Sequence, residues 1–188
     1  MQILDAPSEV EAAAPSTSRA LAPVGKARGP AAVHGVAREH LTFRLGAEEY
    51  GLDILRVQEI RSYEEPTRIA GSPSFLKGVI NLRGVIVPIV DLRVKFGCDS
   101  TEFTPFTVVI VLNIRGRVVG AVVDSVSDVL ELPAASVKAA PPMSNTVVDT
   151  SYITGIANVG DRMLILVDID ALMSSADMGL IDRSATGA

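Results

Sequence analysis

Residues 50–96 read YGLDILRVQEIRSYEEPTRIAGSPSFLKGVINLRGVIVPIVDLRVKF, and the order of apolar runs and turn residues in this stretch decides the fold. Gly84 separates GVINLR from VIVPIVDL, two runs that read as a hairpin whose second strand is rich in β-branched side chains. Pro88 interrupts that second run. It has no backbone N–H to give to a neighbour, which places it on an edge strand or at a bulge. Asp91 is set to cap a short helix over residues 92–96, with Gly97 ending it. Upstream, Ile54, Leu55, Val57 and Ile60 suit a helical turn leading into a strand, and YEEPTRIAGSP reads as a connection because Pro66 and Pro73 remove donors and Gly71 tolerates positive φ. Glu59 and Arg83 are charged residues among apolar neighbours. They fit either a wet sheet face or the rim of an apolar groove in which each orients the other.

Working outward, HLTFRL puts Leu41, Phe43 and Leu45 on one face of a strand, and Gly46-Ala47 turns it into a second strand over residues 48–52. Before this, residues 1–38 are rich in Ala, Pro, Ser and Gly without a sustained period and read as a disordered tail. Its removal should leave the melting transition nearly unchanged. After residue 97 the pattern recurs. A shift of 69 places Gly51 on Gly120, Val57 on Val126 and Glu59 on Asp128; a shift of 77 places Gly78 on Gly155, Asn81 on Asn158 and Asp91 on Asp168. The longer second shift implies a longer connection in PAASVKAAPPMSNT, read as a loop. These matches point to an internal duplication.

Two related β units need closed edges, which favours a mainly β fold of two small five-stranded barrels, SH3-like or OB-like, packed side by side; one large sandwich is the competing arrangement. The expected halves are residues 39–97 and 105–170, with strand exchange between them allowed, followed by a C-terminal helix from IDALMSSADMGLID and a flexible end at 184–188. Neither half would bury much core alone, so a shared interface should supply the rest.

Of 188 residues 48% are apolar, which makes the chain globular, and the net charge of -5 argues against nonspecific nucleic-acid binding. There is no Trp and few other aromatics to stack bases. Cys98 is the only cysteine, so no intrachain disulfide or CxxC site can form, and the thiol is read as having no special role. No His pair has metal-ligand spacing, and no nucleophile elbow or phosphate-binding glycine loop is present. Asp124, Asp128, Asp161 and Arg162 are read as scattered, with Asp124 and Asp128 as solvated carboxylates at strand ends. Catalysis, cofactors and metals are therefore not expected. The start has no secretory pattern, and the longest apolar runs fall well short of the roughly 20 residues a membrane helix needs, which points to the cytoplasm.

The stretches YGLDILRVQEIR, FLKGVINLRGVIVPIVDLRVKF, TVVIVLN, RVVGAVVDSVSDVL and YITGIANVGDRMLILVDI resemble the CheW family, the coupling adaptors of bacterial chemotaxis, over residues 39–183. Histidine kinases of chemotaxis carry a domain of the same fold, but no kinase core is seen here. The resemblance implies a non-catalytic scaffold that links the cytoplasmic tip of a chemoreceptor (a methyl-accepting chemotaxis protein) to the regulatory domain of the kinase CheA. It also implies recruitment to membrane-associated receptor arrays. By matching motifs, it implies a receptor-binding groove between the barrels at Ile54, Val57, Glu59, Ile60, Gly78, Val79, Arg83 and Val108, and leaves the kinase-binding strands unassigned. A chemosensory-type pathway with an output other than swimming is the alternative within the same family.

Overall fold

The computed structural model describes residues 36–141, 151–175 and 178–179. The reading of residues 1–38 as a tail falls almost entirely outside them, as does that of the C-terminal end. Eleven strands and two short helices follow in order: β1 (Arg38–Leu45), β2 (Glu48–Asp53), β3 (Val57–Ser62), β4 (Leu76–Leu82), β5 (Val85–Asp91), α1 (Leu92–Lys95), β6 (Val108–Ile114), β7 (Arg117–Val123), β8 (Ser125–Leu132), β9 (Val137–Lys138), β10 (Ile153–Val159), β11 (Arg162–Val167) and α2 (Ile169–Met173).

These strands form two sheets, ordered β8-β1-β2-β11-β10-β9 and β3-β6-β7-β5-β4. We call the first barrel A and the second barrel B. Their memberships do not follow the chain halves. Barrel A holds the first hairpin, β1–β2, with four strands of the second copy, and barrel B holds the corresponding β6–β7 hairpin with three strands of the first. The duplication is thus built by reciprocal exchange of one hairpin, and the exchange creates one parallel pair per barrel, β2 with β11 and β5 with β7. The same two glycines that match at a shift of 69 lie on these parallel pairs. At Gly120 a Cβ would come 2.5 Å from Ile89 Cδ1 and 2.8 Å from Val109 Cγ1, and at Gly51 one would come 2.9 Å from Leu166 Cδ2.

Barrel B has five strands as expected, whereas barrel A has a sixth. The sixth is β9, formed within the segment read as a loop; Ala134–Ser136 makes a single 3-10 turn and Val137 and Lys138 then pair with Ala157 and Ile156. In barrel B the equivalent place is held by one bridge, Thr67 to Val79. The C-terminal helix is also shorter than its apolar spacing suggests, because α2 ends after Met173. Pro88 lies in β5, which is an interior strand rather than an edge. The proline is tolerated because β5 meets β7 only from Ile89 onward, leaving Pro88 just beyond that ladder and close to the β4 bulge at 76–78.

Alternation divides the core. Along β6, Ile110, Leu112 and Ile114 face a large cluster shared by both barrels, which also takes Leu41, Phe43 and Leu45 of β1 and Leu172 and Met173 of α2. Val109 and Val111, on the other face, fill barrel B with Val87, Ile89 and Val122. Leu132, Ala157, Leu164 and Leu166 fill barrel A. Each barrel's own core is small, so burial between them carries most of the hydrophobic stabilisation. Rings run through this shared layer, with Tyr50 stacked on Phe43 and Phe96 edge-on to both Tyr50 and Tyr152. Burial and the neighbouring Glu48 push the Tyr50 hydroxyl up to about 12.

Candidate functional site

The residues named for the groove fall into three groups. Ile54, on the 3-10 turn Ile54–Arg56, and Val57, at the start of β3, are half-buried against the shared core, as is Val108 on β6. Asp53 makes that turn by accepting a hydrogen bond from the Leu55 N–H at 2.9 Å, so the chain crosses from barrel A to barrel B at a fixed angle. Val57 lies opposite Leu112, and Ser62 lies opposite Val108, so the first group spans the side of the β3–β6 ladder that faces barrel A.

Glu59 and Arg83 form the second group. The Arg83 guanidinium donates to a Glu59 carboxylate oxygen, and Arg61 lies 4.0 Å from the other oxygen. Because β3 and β4 are the two edges of the barrel B sheet, this ion pair bridges its open side. Arg83 is 74% exposed and sits at φ 51 in the β4–β5 turn, where Asn81 Oδ1 accepts the Gly84 N–H at 2.8 Å. Ile60, the next residue on β3, is exposed, as are Val85 and Ile86 on β5. Exposed apolar side chains thus stand near the Glu59–Arg83 pair along β3 and β5.

Gly78 and Val79 form the third group, on β4, where Val79 is half-buried. Gly78 is buried at φ 144, and a Cβ there would stand 2.1 Å from the Thr67 carbonyl oxygen. Its role in this structure is to let the Thr67 arm close on β4. Gly155 does the same for β9, where a Cβ would come 2.8 Å from the Lys138 carbonyl.

Two charged assemblies escaped the sequence reading. Asp128 is not a free strand-end carboxylate: it accepts from the Thr42 hydroxyl and from Arg162 at 3.3 Å, while Arg162 also reaches Glu49 at 3.0 Å. The Thr42 bond, with Arg162, holds the Asp128 carboxyl below its ordinary pKa against a smaller opposing effect of burial. This pair is barrel A's counterpart of Glu59–Arg83. The shift of 69 had already aligned Glu59 with Asp128, but Arg162 stands opposite Val85 rather than Arg83 at a shift of 77, so identity matching missed it. Likewise the exposed Val129 and Met163 stand where Ile60 and Ile86 stand in barrel B.

The second assembly centres on Arg93, which is 0% exposed. It donates to both oxygens of the buried Asp91 at 2.9 Å, to the Glu102 carbonyl at 2.7 Å and to Asp124 at 3.2 Å, and lies over the Phe103 ring. Burial alone would lower its pKa, but the Asp91 bonds and charge outweigh this and raise it. Asp124 is therefore also bound rather than solvated, and it additionally accepts the Gly46 N–H at 2.7 Å. Both assemblies hold strands and turns in place. Among the described residues no three His, Cys, Asp or Glu side chains converge as a metal site, and no helix is long and apolar enough to cross a membrane.

Twin barrels with exchanged hairpins, joined through one apolar layer, define a scaffold-type β fold. A family model described as CheW-like domain matches residues 39–177, and the chain belongs to the CheW family of chemotaxis coupling proteins. It is 58% identical over 150 residues to chemotaxis protein CheW of Klebsiella aerogenes, covering 80% of this chain and 90% of that one. To chemotaxis protein CheW of Bacillus subtilis it is 32% identical, covering 71% and 85% respectively. The crystal structure of the scaffolding protein TtCheW from Thermoanaerobacter tengcongensis superposes with a TM-score of 0.68 at 34% identity, over 74% of this chain and 94% of that one.

Proposed function

We propose that this protein is a non-catalytic adaptor that couples the cytoplasmic tip of chemoreceptors to the histidine kinase CheA. The observation that carries this reading is the 58% identity to a chemotaxis protein CheW across 90% of its length. The geometry supplies a physical route. A receptor tip is an α-helical hairpin, and Ile54, Val57 and Val108, half-buried on the shared core, offer an apolar step for side chains spaced at i, i+3 and i+4. Ile60 extends the step, and Glu59–Arg83 at its rim fixes register through charge. A contact of this size is weak alone. In a membrane-associated array each further attachment becomes effectively intramolecular, so weak contacts suffice in the cytoplasm beneath the receptors. Signal passes if the receptor's two states bind this surface unequally, since only differential affinity shifts an equilibrium.

Titrating isotope-labelled protein with a soluble receptor-tip fragment tests the assignment by nuclear magnetic resonance. Shifts should concentrate at Ile54, Val57, Glu59, Ile60 and Val108; a response centred on β10 and β11 instead would overturn it.

A further inference from the structure

The chain passes between the barrels twice, and each passage is gripped by a charged residue on the short helix attached to the barrel it is leaving. The passage from β2 to β3 leaves barrel A at the turn Ile54–Arg56, and there Arg56 meets Asp170 of α2 at 2.5 Å. The passage from β7 to β8 leaves barrel B at Asp124, and there Asp124 meets Arg93 of α1. Arg93 and Asp170 are 77 residues apart, so they occupy the same place in the duplicated unit with opposite charge.

The two grips are unequal. Arg93 is saturated by its bonds to Asp91, Glu102 and Asp124, while Asp124 is pinned further by the Gly46 N–H and by its own N–H donating to the Arg44 carbonyl at 3.1 Å. Arg56, by contrast, is 43% exposed, and Asp170 uses only Oδ2; its Oδ1 is buried with no hydrogen-bond partner. A buried carboxylate oxygen left unmatched opposes closure. Beside the pair lies a polar cleft of about 210 Å³, lined among others by Arg38, His40, Asp53 and Asp168, into which the charges can separate and hydrate.

We propose that the Arg56–Asp170 pair is a latch on the inter-barrel groove and that the Arg93 clasp is its fixed pivot. Closed, the latch holds the 54–56 turn against α2; open, it frees Ile54 and Val57 to shift against the shared core. Its regulatory consequence rests on the reading that a partner helix seats on those two residues.

Spin labels on exposed positions of each barrel, at Arg115→Cys and Asp161→Cys in a Cys98→Ser background, report the barrel-to-barrel distance distribution directly. Asp170→Asn, which preserves shape, should broaden or shift that distribution, and raised salt should do the same to the parent by screening the half-exposed Arg56. Exchanging the charges, Arg56→Asp with Asp170→Arg, should restore the narrow distribution. A distribution unmoved by Asp170→Asn and by salt overturns the latch. Affinity for a soluble receptor-tip fragment should fall about fivefold or more in Asp170→Asn, the low end of coupling between sites, and recover in the exchanged variant. If the distances respond as stated but this affinity does not, the latch stands and the assignment of the partner to Ile54 and Val57 fails.

Discussion

Arg83 carries its charge almost wholly in solvent, so its pairing with Glu59 contributes under about 1 kcal/mol to folding and its value lies in what it presents. Arg83→Glu should leave the thermal midpoint nearly unmoved and abolish co-sedimentation with receptor tips, and adding Glu59→Arg should restore part of the binding if the two act as a pair. Asp128 makes the opposite case, a residue at a similar position that reports on stability. Its carboxyl is held below the ordinary value by Thr42 and Arg162, so the stabilisation is complete above the unfolded-state value of roughly 4 and disappears as pH falls through the folded one. Thermal midpoints of the parent and Asp128→Asn, measured from pH 7 downward, should therefore differ most near neutrality and converge in acid. Burial and the carboxylates of Asp124 and Glu48 push the Cys98 thiol above its ordinary value.

At the scale of elements, turn chemistry was the most legible part of the sequence. Gly46-Ala47, Gly84 and the Asp91 cap each fall where the spacing puts them, because a turn is specified by a few adjacent residues, though the turn at Gly84 also takes in Arg83. Partners across the sheet were not legible in that way. Pro88 looked like an edge residue because proline lacks a donor, yet only the register of β5 with β7 shows that no donor is needed there. Arg93 is marked by nothing in the sequence, and its burial depends on its pairing with Asp91 and Asp124. Removing Arg93 would leave Asp91 buried with only Lys77, 4.0 Å away, as a counter-charge, so Arg93→Met should cost about 3 kcal/mol in urea unfolding. At Gly120 the obstructing atoms belong to two packed side chains, Ile89 and Val109, and Gly120→Ala should cost about 1–3 kcal/mol by the same assay; Gly51→Ala, facing the end of one leucine, should cost less.

For the whole molecule, the repeat at shifts of 69 and 77 announced two units, and the sheets are those two units with their first hairpins traded. Sequence periodicity records which strands are equivalent and is silent about which copy each one joins. The trade ties the barrels through two crossings and one common core, so they should unfold together in a single transition, which coincident fluorescence and circular dichroism curves would show. The pairing of Glu59 with Arg83 was readable from residue types, two charges among apolar neighbours, whereas Ile54 and Val57 were named only through the family resemblance. The pseudo-equivalent Asp128–Arg162 pair and the two crossing clasps required the strands to be assembled first.

Sedimentation of receptor-bearing membranes with purified CheA, in the presence and absence of this protein, tests the proposed coupling most directly. The kinase should enter the pellet together with the protein, stay in the supernatant without it, and stay there again when Arg83→Glu replaces the parent. Kinase that pellets equally with or without the protein, or protein that remains in solution beside intact receptors, would contradict the account.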